Sequence, residues 1–216
     1  VYGKKDSMEY AEKALLKASE ILQMIQADNK KKKRLFTANQ GDLAALNIVK
    51  KDYQKAFQIH CDNVAFRKEM LEEEPEQDYK KMVAASYKGM ATALFYLSRE
   101  HMEQRELLLQ KSYQYHCRSV EYYEKAYAPD YHFDRMVEEN RCIGTLCQLL
   151  EYLPEDELRT ALPDALERMN RAVSYSIHMD IRNEGELQNS LNNVKKLLEK
   201  MWQENMVDEV FLKKYN

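Results

Sequence analysis

Turn-forming residues are scarce in this sequence. Only five of its 216 residues are Gly and only four are Pro. A β-sandwich or an α/β enzyme with many loops needs more turns than such a composition supplies. Residues that favour helices, such as Glu, Lys, Leu, Ala, Gln and Met, are plentiful instead. The composition therefore predicts an all-α protein.

Long apolar runs and paired cysteines are also missing. No stretch approaches the roughly 18 apolar residues that a helix needs to span a bilayer. The four cysteines form neither a Cys-x-x-Cys pair nor a dense framework, and no signal peptide is visible. These features predict a reduced, cytoplasmic protein. We read residues 1–216 as one domain, and the start at Val1 rather than Met leaves room for an upstream leader or domain.

Charge of one sign does not dominate either. The 33 basic and 36 acidic residues are interspersed and give a formal net charge of -3, which is typical of solvated helix faces rather than of nucleic-acid binding. Gly-rich nucleotide loops, Gly-x-Ser-x-Gly, EF-hand and His-Glu-x-x-His spacings are absent. We therefore expect no enzymatic activity, no cofactor and no nucleic-acid or membrane partner, while the oligomeric state stays open.

What the chain does contain is an internal repeat. Gln54 opens the segment QKAFQIHCDNVAF, and Gln110 opens the similar segment QKSYQYHCRSVEY. A third, weaker copy begins at Arg171, whose counterpart in the second copy is Arg118. The interval between copies is long enough for each copy to span a pair of helices rather than one helix.

Helical spacing of apolar residues runs through most of the chain. Asp42, Ser98 and Pro154 follow one another at the same interval as Gln54 and Gln110, and they suit helix starts, whereas Pro75 and Pro129 mark helix ends. Amphipathic helices of this kind bury their apolar stripes by stacking in antiparallel pairs, and the stacked pairs form an array with a concave face. We predict seven helices, at about residues 6–28, 42–73, 78–97, 99–128, 133–153, 155–180 and 185–206.

The repeat has the features of a known family. A small residue followed by an aromatic one, in Tyr53 to Phe57 and again in Gln110 to Tyr113, resembles the packing centre of tetratricopeptide repeats, and Asp164 to Leu166 is a third trace. The stretch Phe66 to Leu71, followed by acidic residues and Pro75, is similar to the longer repeats of the kinesin light chain type. The period of this repeat is longer than the usual tetratricopeptide period of about 34 residues.

The resemblance covers about residues 42–180. It implies a tetratricopeptide-like superhelix that binds a protein or peptide on its concave face, with the first helix of each pair lining that face. The alternative is a regulatory sensor domain that binds a small peptide signal or ligand and controls an attached domain. Basic and amide side chains on this face would suit an acidic segment or a carboxylate terminus. The resemblance and the helix phase place the following residues in the groove: Lys81, Lys88, Arg141, Gln148, Asn192 and Lys196.

The repeated His-Cys pairs have two interpretations. His60-Cys61 and His116-Cys117 recur at equivalent positions, so they could be packing residues or ligands of a zinc ion shared between the copies. Adjacent residues on a helix point about 100° apart and cannot form a nucleophile–base pair with each other. Packing is the favoured interpretation.

Runs of like charge are the next feature. Consecutive carboxylates in Glu72 to Glu76 and in Glu138-Glu139 are interpreted as solvated rather than catalytic. The run Lys30 to Arg34 is interpreted as a loop between the first two helices, because turn-forming residues flank it. Contact with an anionic membrane or with nucleic acid is its alternative.

The tyrosines and the C-terminal segment are the remaining candidates for packing or interface residues. Tyr113, Tyr115, Tyr122, Tyr123 and Tyr127 are interpreted as packing residues, with an interface as the alternative. The amphipathic segment Met206 to Leu212 has three possible roles, and capping of the array is favoured over docking onto a neighbour or dimerisation.

Overall fold

The computed structural model describes residues 2–25, 30–179 and 184–206, and this part of the chain contains helices and no strands. The predicted all-α array is therefore confirmed. None of the helices described is long and apolar enough to cross a membrane. A short 3-10 helix covers Met102–Gln104, and the α-helices are α1 Tyr2–Met24, α2 Lys30–Val49, α3 Tyr53–Glu73, α4 Gln77–Glu100, α5 Arg105–Tyr127, α6 Phe133–Leu149, α7 Glu155–His178 and α8 Glu184–Gln203.

The chain divides into two compact units. The first comprises Val1–Ala126 and the second Tyr127–Asn216. Within the first unit α1 packs against α2, α2 against α3 and α3 against α4, and within the second α8 packs against both α6 and α7. The single domain read from the sequence stays a prediction.

Two of the predicted helix starts are wrong. The predicted helix 42–73 covers the last part of α2 and the whole of α3. A turn separates these two helices, and Lys51 in this turn has a φ of 64°. Asp52 caps α3, since its carboxylate accepts a hydrogen bond from the Lys55 N–H, whereas Asp42 lies inside α2. Ser98 is buried inside α4 and donates to the Phe95 carbonyl, so it caps nothing. The predicted start of α7 after Pro154 is confirmed.

The basic run Lys30 to Arg34 is not a loop, because it forms the first turns of α2. Cations oppose the dipole at a helix N-terminus, and here the acidic residues around the α3–α4 turn compensate them. Ion pairs that are open to solvent are individually weak, but together these pairs give the basic run and the acidic run opposite charges as partners within the first unit. The pairs are Lys30 to Glu74, Lys33 to Glu73 at 3.6 Å and Arg34 to Asp78 at 3.1 Å.

The sequence repeat also sets which side chains are buried. Every buried position of α3 has a buried counterpart in α5 at the interval that separates Gln54 from Gln110. Most of the buried positions of α5 have buried counterparts in α7 at the interval that separates Arg118 from Arg171. The repeat is therefore a repeat of the packing face. The pairs between α3 and α5 are Tyr53/Leu109, Ala56/Ser112, His60/His116, Asn63/Ser119, Val64/Val120, Arg67/Tyr123 and Met70/Ala126.

Helices α3 and α4 run antiparallel and approach each other closely at Gly89. A Cβ atom at that position would lie 2.1 Å from Nε2 of His60, so only glycine leaves room for the buried imidazole. At one end of the same pair Tyr53 stacks on Tyr96, with ring centroids 5.1 Å apart. The close approach fixes the register of the two helices.

Arg67 ties three helices of the first unit together. From α3 its guanidinium donates to the carbonyl of Thr37 in α2, and also to the carbonyl of Met82 and the hydroxyl of Ser86 in α4, each at 2.7 Å. The side chain is 6% exposed, and burial lowers the pKa of its guanidinium to about 10. Its cationic group is thus solvated by carbonyl and hydroxyl oxygens instead of by water.

In the second unit, Asn140 of α6 makes the corresponding polar link to α8. Its amide donates to the carbonyl of Glu186 and accepts from the Ser190 hydroxyl at 2.8 Å, while its backbone carbonyl accepts from the Asn193 amide at 3.0 Å. The same unit contains large apolar side chains that are almost fully buried. They include Met136, Ile143, Leu146, Leu162, Met169 and Leu197.

The contact at Gly89 predicts opposite effects for two glycine substitutions. Gly89→Ala should destabilise the fold by about 1–3 kcal/mol, because the new methyl group displaces the His60 ring. Gly144→Ala is the matched control, since its Cβ would meet Asn193 at an ordinary 3.8 Å and alanine favours the helix by up to about 1 kcal/mol. Urea unfolding measures both. Equal effects of the two substitutions would contradict the close approach.

Stability should also depend on pH through His60. Burial, followed by the charges of Arg67 and Lys88, lowers the pKa of His60 from 6.5 to about 4. The unfolded chain therefore binds one more proton than the folded chain between these values. The free energy of unfolding should fall by about 3 kcal/mol as the pH drops through this window.

The pH effect is measured by urea unfolding between pH 4 and pH 7. His60→Asn should remove this part of the pH dependence, whereas substitution of the exposed His178 by Asn should leave it in place. An unchanged profile for His60→Asn would refute the assignment.

Candidate functional site

Two of the predicted groove residues lie on α4 in the first unit. Lys81 and Lys88 are seven residues apart, hence on the same face of the helix, and both are half-exposed. The Lys81 ammonium lies 3.7 Å from the Asp78 carboxylate, and the charge of Lys88 acts on buried His60. The structure therefore offers two ammonium groups on one face, and their role in binding stays a prediction.

The other four predicted groove residues belong to the second unit. Arg141 is exposed on α6, 3.8 Å from Glu138, and Gln148 is half-buried two turns later. On α8, Asn192 and Lys196 are exposed. Lys196 lies close enough to α6 to act on the thiol of Cys147, whose pKa burial raises to about 11. The structure thus brings these four residues onto neighbouring helices, and their role in peptide binding stays a prediction.

The His-Cys copies are packing residues. His60 and His116 are both buried, and burial raises the pKa of the Cys61 thiol, which disfavours a thiolate nucleophile. In the described part of the chain no group of three His, Cys, Asp or Glu side chains is placed to hold a metal ion. The zinc alternative gains no support.

Packing also accounts for two of the tyrosines. Tyr87 of α4 lies between Tyr115 and Tyr122 of α5, with ring centroids 6.0 Å and 5.7 Å away. The Lys68 ammonium sits 5.4 Å from the Tyr87 ring. The spacing of seven residues between Tyr115 and Tyr122 therefore serves contact between helices, as predicted.

An open cleft in the second unit is the candidate site that sequence reasoning missed. It has a volume of about 370 Å³ and lies along α7, with one wall supplied by Tyr131 from the segment that precedes α6. We call it the α7 cleft. Its lining residues are Tyr131, Glu167, Asn170, Arg171, Ser174 and Tyr175.

A buried charged network holds the wall of the cleft. The Tyr131 hydroxyl hydrogen-bonds to Oε2 of Glu139, and Oε1 of the same carboxylate accepts from Nε of Arg135 at 3.1 Å. The Arg135 guanidinium also lies 5.0 Å from the Tyr131 ring, and Tyr175 meets that ring edge-on at 5.1 Å. Burial and the Glu139 charge raise the pKa of Tyr131, so its hydroxyl keeps the proton that it donates.

The solvated interpretation of Glu138 and Glu139 is wrong, because both are buried inside α6. The sequence repeat already indicated that Glu139 is buried. The shift that carries Gln54 onto Gln110 also carries Val83, which is fully buried in α4, onto Glu139, so Glu139 occupies a core position. The carboxylate is tolerated there because Arg135 and Tyr131 bond to both of its oxygens.

The charged side chains at the rim of the cleft can exchange their ion-pair partner for a ligand. Arg171 pairs with Glu167 at 3.4 Å, but both side chains are well exposed. Such a pair contributes little, so a ligand can replace one partner at small cost. The two tyrosine rings below the rim offer apolar area of fixed shape. The cleft therefore combines a rigid aromatic wall with an adaptable charged rim.

Comparison with protein families, curated proteins and solved structures gives no match to this chain. The resemblance to tetratricopeptide repeats stays a prediction.

The network behind the cleft predicts a difference between two tyrosines. Tyr131→Phe removes the hydroxyl that bonds to buried Glu139 and should destabilise the second unit by about 1–3 kcal/mol. Tyr175→Phe is the control, because its hydroxyl makes no hydrogen bond within the described residues, and its effect should stay below about 0.5 kcal/mol. Thermal unfolding compares the two. A loss at Tyr175 as large as that at Tyr131 would contradict the network.

Proposed function

We propose that this protein is a scaffold that binds another polypeptide, with the α7 cleft as its principal contact. The observation that supports the proposal best is the rigid wall. A carboxylate that is 1% exposed holds Tyr131 in place, and Tyr175 is packed against it. Burying a charge costs stability, and here it fixes a side chain that lines an open surface. Rigid aromatic side chains are the typical anchors of binding interfaces.

The openness of the cleft favours a segment of a larger partner over an enclosed ligand. Small-molecule sites bury most of the ligand surface. Here Glu167, Arg171 and Ser174 are exposed along the rim, so one or two side chains enter the cleft while the remainder of the partner lies along α7. In this proposal the chain is cytoplasmic, which fits the absence of disulfides among its four cysteines.

The predicted groove residues contribute further contacts in the proposal, separately within each unit. Lys81 and Lys88 on α4, and Arg141 and Lys196 in the second unit, carry positive charges that suit an acidic partner segment. They act on the association rate more than on anchoring, because they are exposed or half-exposed.

The sensor remains the second candidate function, and the cleft volume favours it. About 370 Å³ is within the range of small-ligand sites, which extends from roughly 300 to 1,000 Å³. A sensor would bind a free short peptide or small ligand in the cleft without contacts along the rest of α7.

The test is selection of peptides from a random library displayed on phage, followed by titration of the selected peptides against purified variants. Tyr175→Ala and Arg171→Ala should each weaken binding at least about tenfold, which corresponds to 1.4 kcal/mol. Arg118→Ala, on α5, is the matched control, because Arg118 is exposed and paired with a glutamate as Arg171 is, and it should leave the affinity unchanged.

Truncation of a selected peptide separates the two candidates. A scaffold loses affinity as residues outside the cleft are removed, whereas a sensor keeps it down to the shortest peptide that fills the cleft. Binding that is unaffected by both cleft variants would refute the assignment of the α7 cleft, and failure to select any peptide would refute the scaffold.

A further inference from the structure

Helix α8 has a buried face and, beside it, an apolar stripe that is partly exposed. The buried face packs against α6 and α7 through the buried residues Ser190, Asn193, Leu197 and Met201. The stripe runs beside it at helical spacing. Leu191 and Trp202 are 44% and 47% exposed, and the residues between them are half-buried. We call these five residues the α8 stripe: Leu187, Leu191, Val194, Leu198 and Trp202.

The stripe is too regular to be scattered surface. Its members follow one another at intervals of four, three, four and four positions, which places them along one side of the helix. Single exposed apolar residues are normal, but a continuous exposed row is typical of an interaction surface. α8 is the last helix of the part of the chain that the structure describes, and no later described element lies on the stripe.

The end of α8 directs the chain away from the helix axis. Asn205 adopts a left-handed conformation with a φ of 52°. The Met206 N–H bonds to the Met201 carbonyl at 2.9 Å, and the Asn205 N–H bonds to the Trp202 carbonyl at 3.1 Å. These two bonds define a Schellman motif, in which the residue after the turn packs back against the last turn of the helix. Met206 is accordingly half-buried.

We infer that the α8 stripe is a docking surface for the chain's own residues 207–216. These residues lie outside the described part of the structure, and their sequence places apolar side chains at Val207, Val210 and Phe211. The inference is independent of the proposed binding function. It identifies the surface that the amphipathic segment Met206 to Leu212 caps.

Length permits the contact. Leu191 and Trp202 are eleven residues apart on α8, or about 16 Å at 1.5 Å per residue. Ten residues span about 15 Å when helical and up to roughly 33 Å when extended. When extended, the segment therefore reaches from the Trp202 end past Leu191, and when helical it covers most of the distance between these two residues.

Tethering favours this occupant over a second copy of the chain. A segment joined by a short connection has an effective concentration in the millimolar range, far above the concentration of free protein in a dilute sample. The Schellman motif also fixes where the segment starts, at the Trp202 end of the stripe.

Tryptophan fluorescence tests the inference, because Trp202 is the only tryptophan in the chain. The whole chain is compared with the double variant Val210→Asp/Phe211→Asp, and Lys213→Gln is the control on a polar position. We expect the double variant to shift the emission maximum of Trp202 to longer wavelength and to increase its quenching by acrylamide. The control should match the whole chain. Circular dichroism checks that the variants keep their helical content.

A second variant approaches the contact from the other side. Leu191→Gln replaces an exposed residue of the stripe, so the fold tolerates it, and it should produce the same direction of change at Trp202. Identical fluorescence of the whole chain and the double variant would overturn the inference. Protection of Trp202 that grows with protein concentration and persists in the double variant would also overturn it, since a second copy would then cover the stripe.

Discussion

The first unit depends on the contact between the His60 ring and Gly89. The imidazole occupies the space of an absent side chain, so α3 and α4 approach until the ring touches the backbone of α4. That approach sets the register at which Arg67 reaches Met82 and Ser86 on α4 and Thr37 on α2. One glycine in mid-helix, unfavourable by itself, therefore permits a three-helix arrangement.

Buried charges occupy core positions of the repeat in both units, and they serve different ends. Arg67 stands where α5 has Tyr123 and α7 has Ser176, and it links three helices through oxygen atoms. Glu139 stands where α4 has Val83, and it holds a tyrosine at the edge of a cleft. The first contact is structural. The contact of Glu139 extends from the core to the surface. A charged residue at a core position breaks the regular pattern, and such exceptions are expected to occur at functional sites.

The sequence allowed the fold class and the repeated packing face to be predicted, because both depend on periodicity. The break between α2 and α3 could not be predicted, because it lacks Gly and Pro and depends on Lys51 in a left-handed conformation. The helical state of Lys30 to Arg34 was missed for a related reason. Acidic residues distant in sequence, Glu73, Glu74 and Asp78, compensate the charges, and such partners are not visible in a local pattern.

The α7 cleft was missed because its parts are separated in the sequence. Tyr131 precedes α6, its support is on α6 and its rim is on α7. The repeat did carry one signal, since it aligns Glu139 with buried Val83. A charged residue at a core position of a repeat can thus indicate a surface side chain that it holds in place.

The central claim is that a partner polypeptide inserts into the α7 cleft. The most direct measurement is NMR of the protein with isotope-labelled tyrosine rings, titrated with a binding peptide. We expect the signals of Tyr131 and Tyr175 to shift together and to saturate at one dissociation constant, while the signal of Tyr53, in the first unit, stays in place. Shifts of Tyr53 without any change at Tyr131 and Tyr175 would contradict insertion into the cleft.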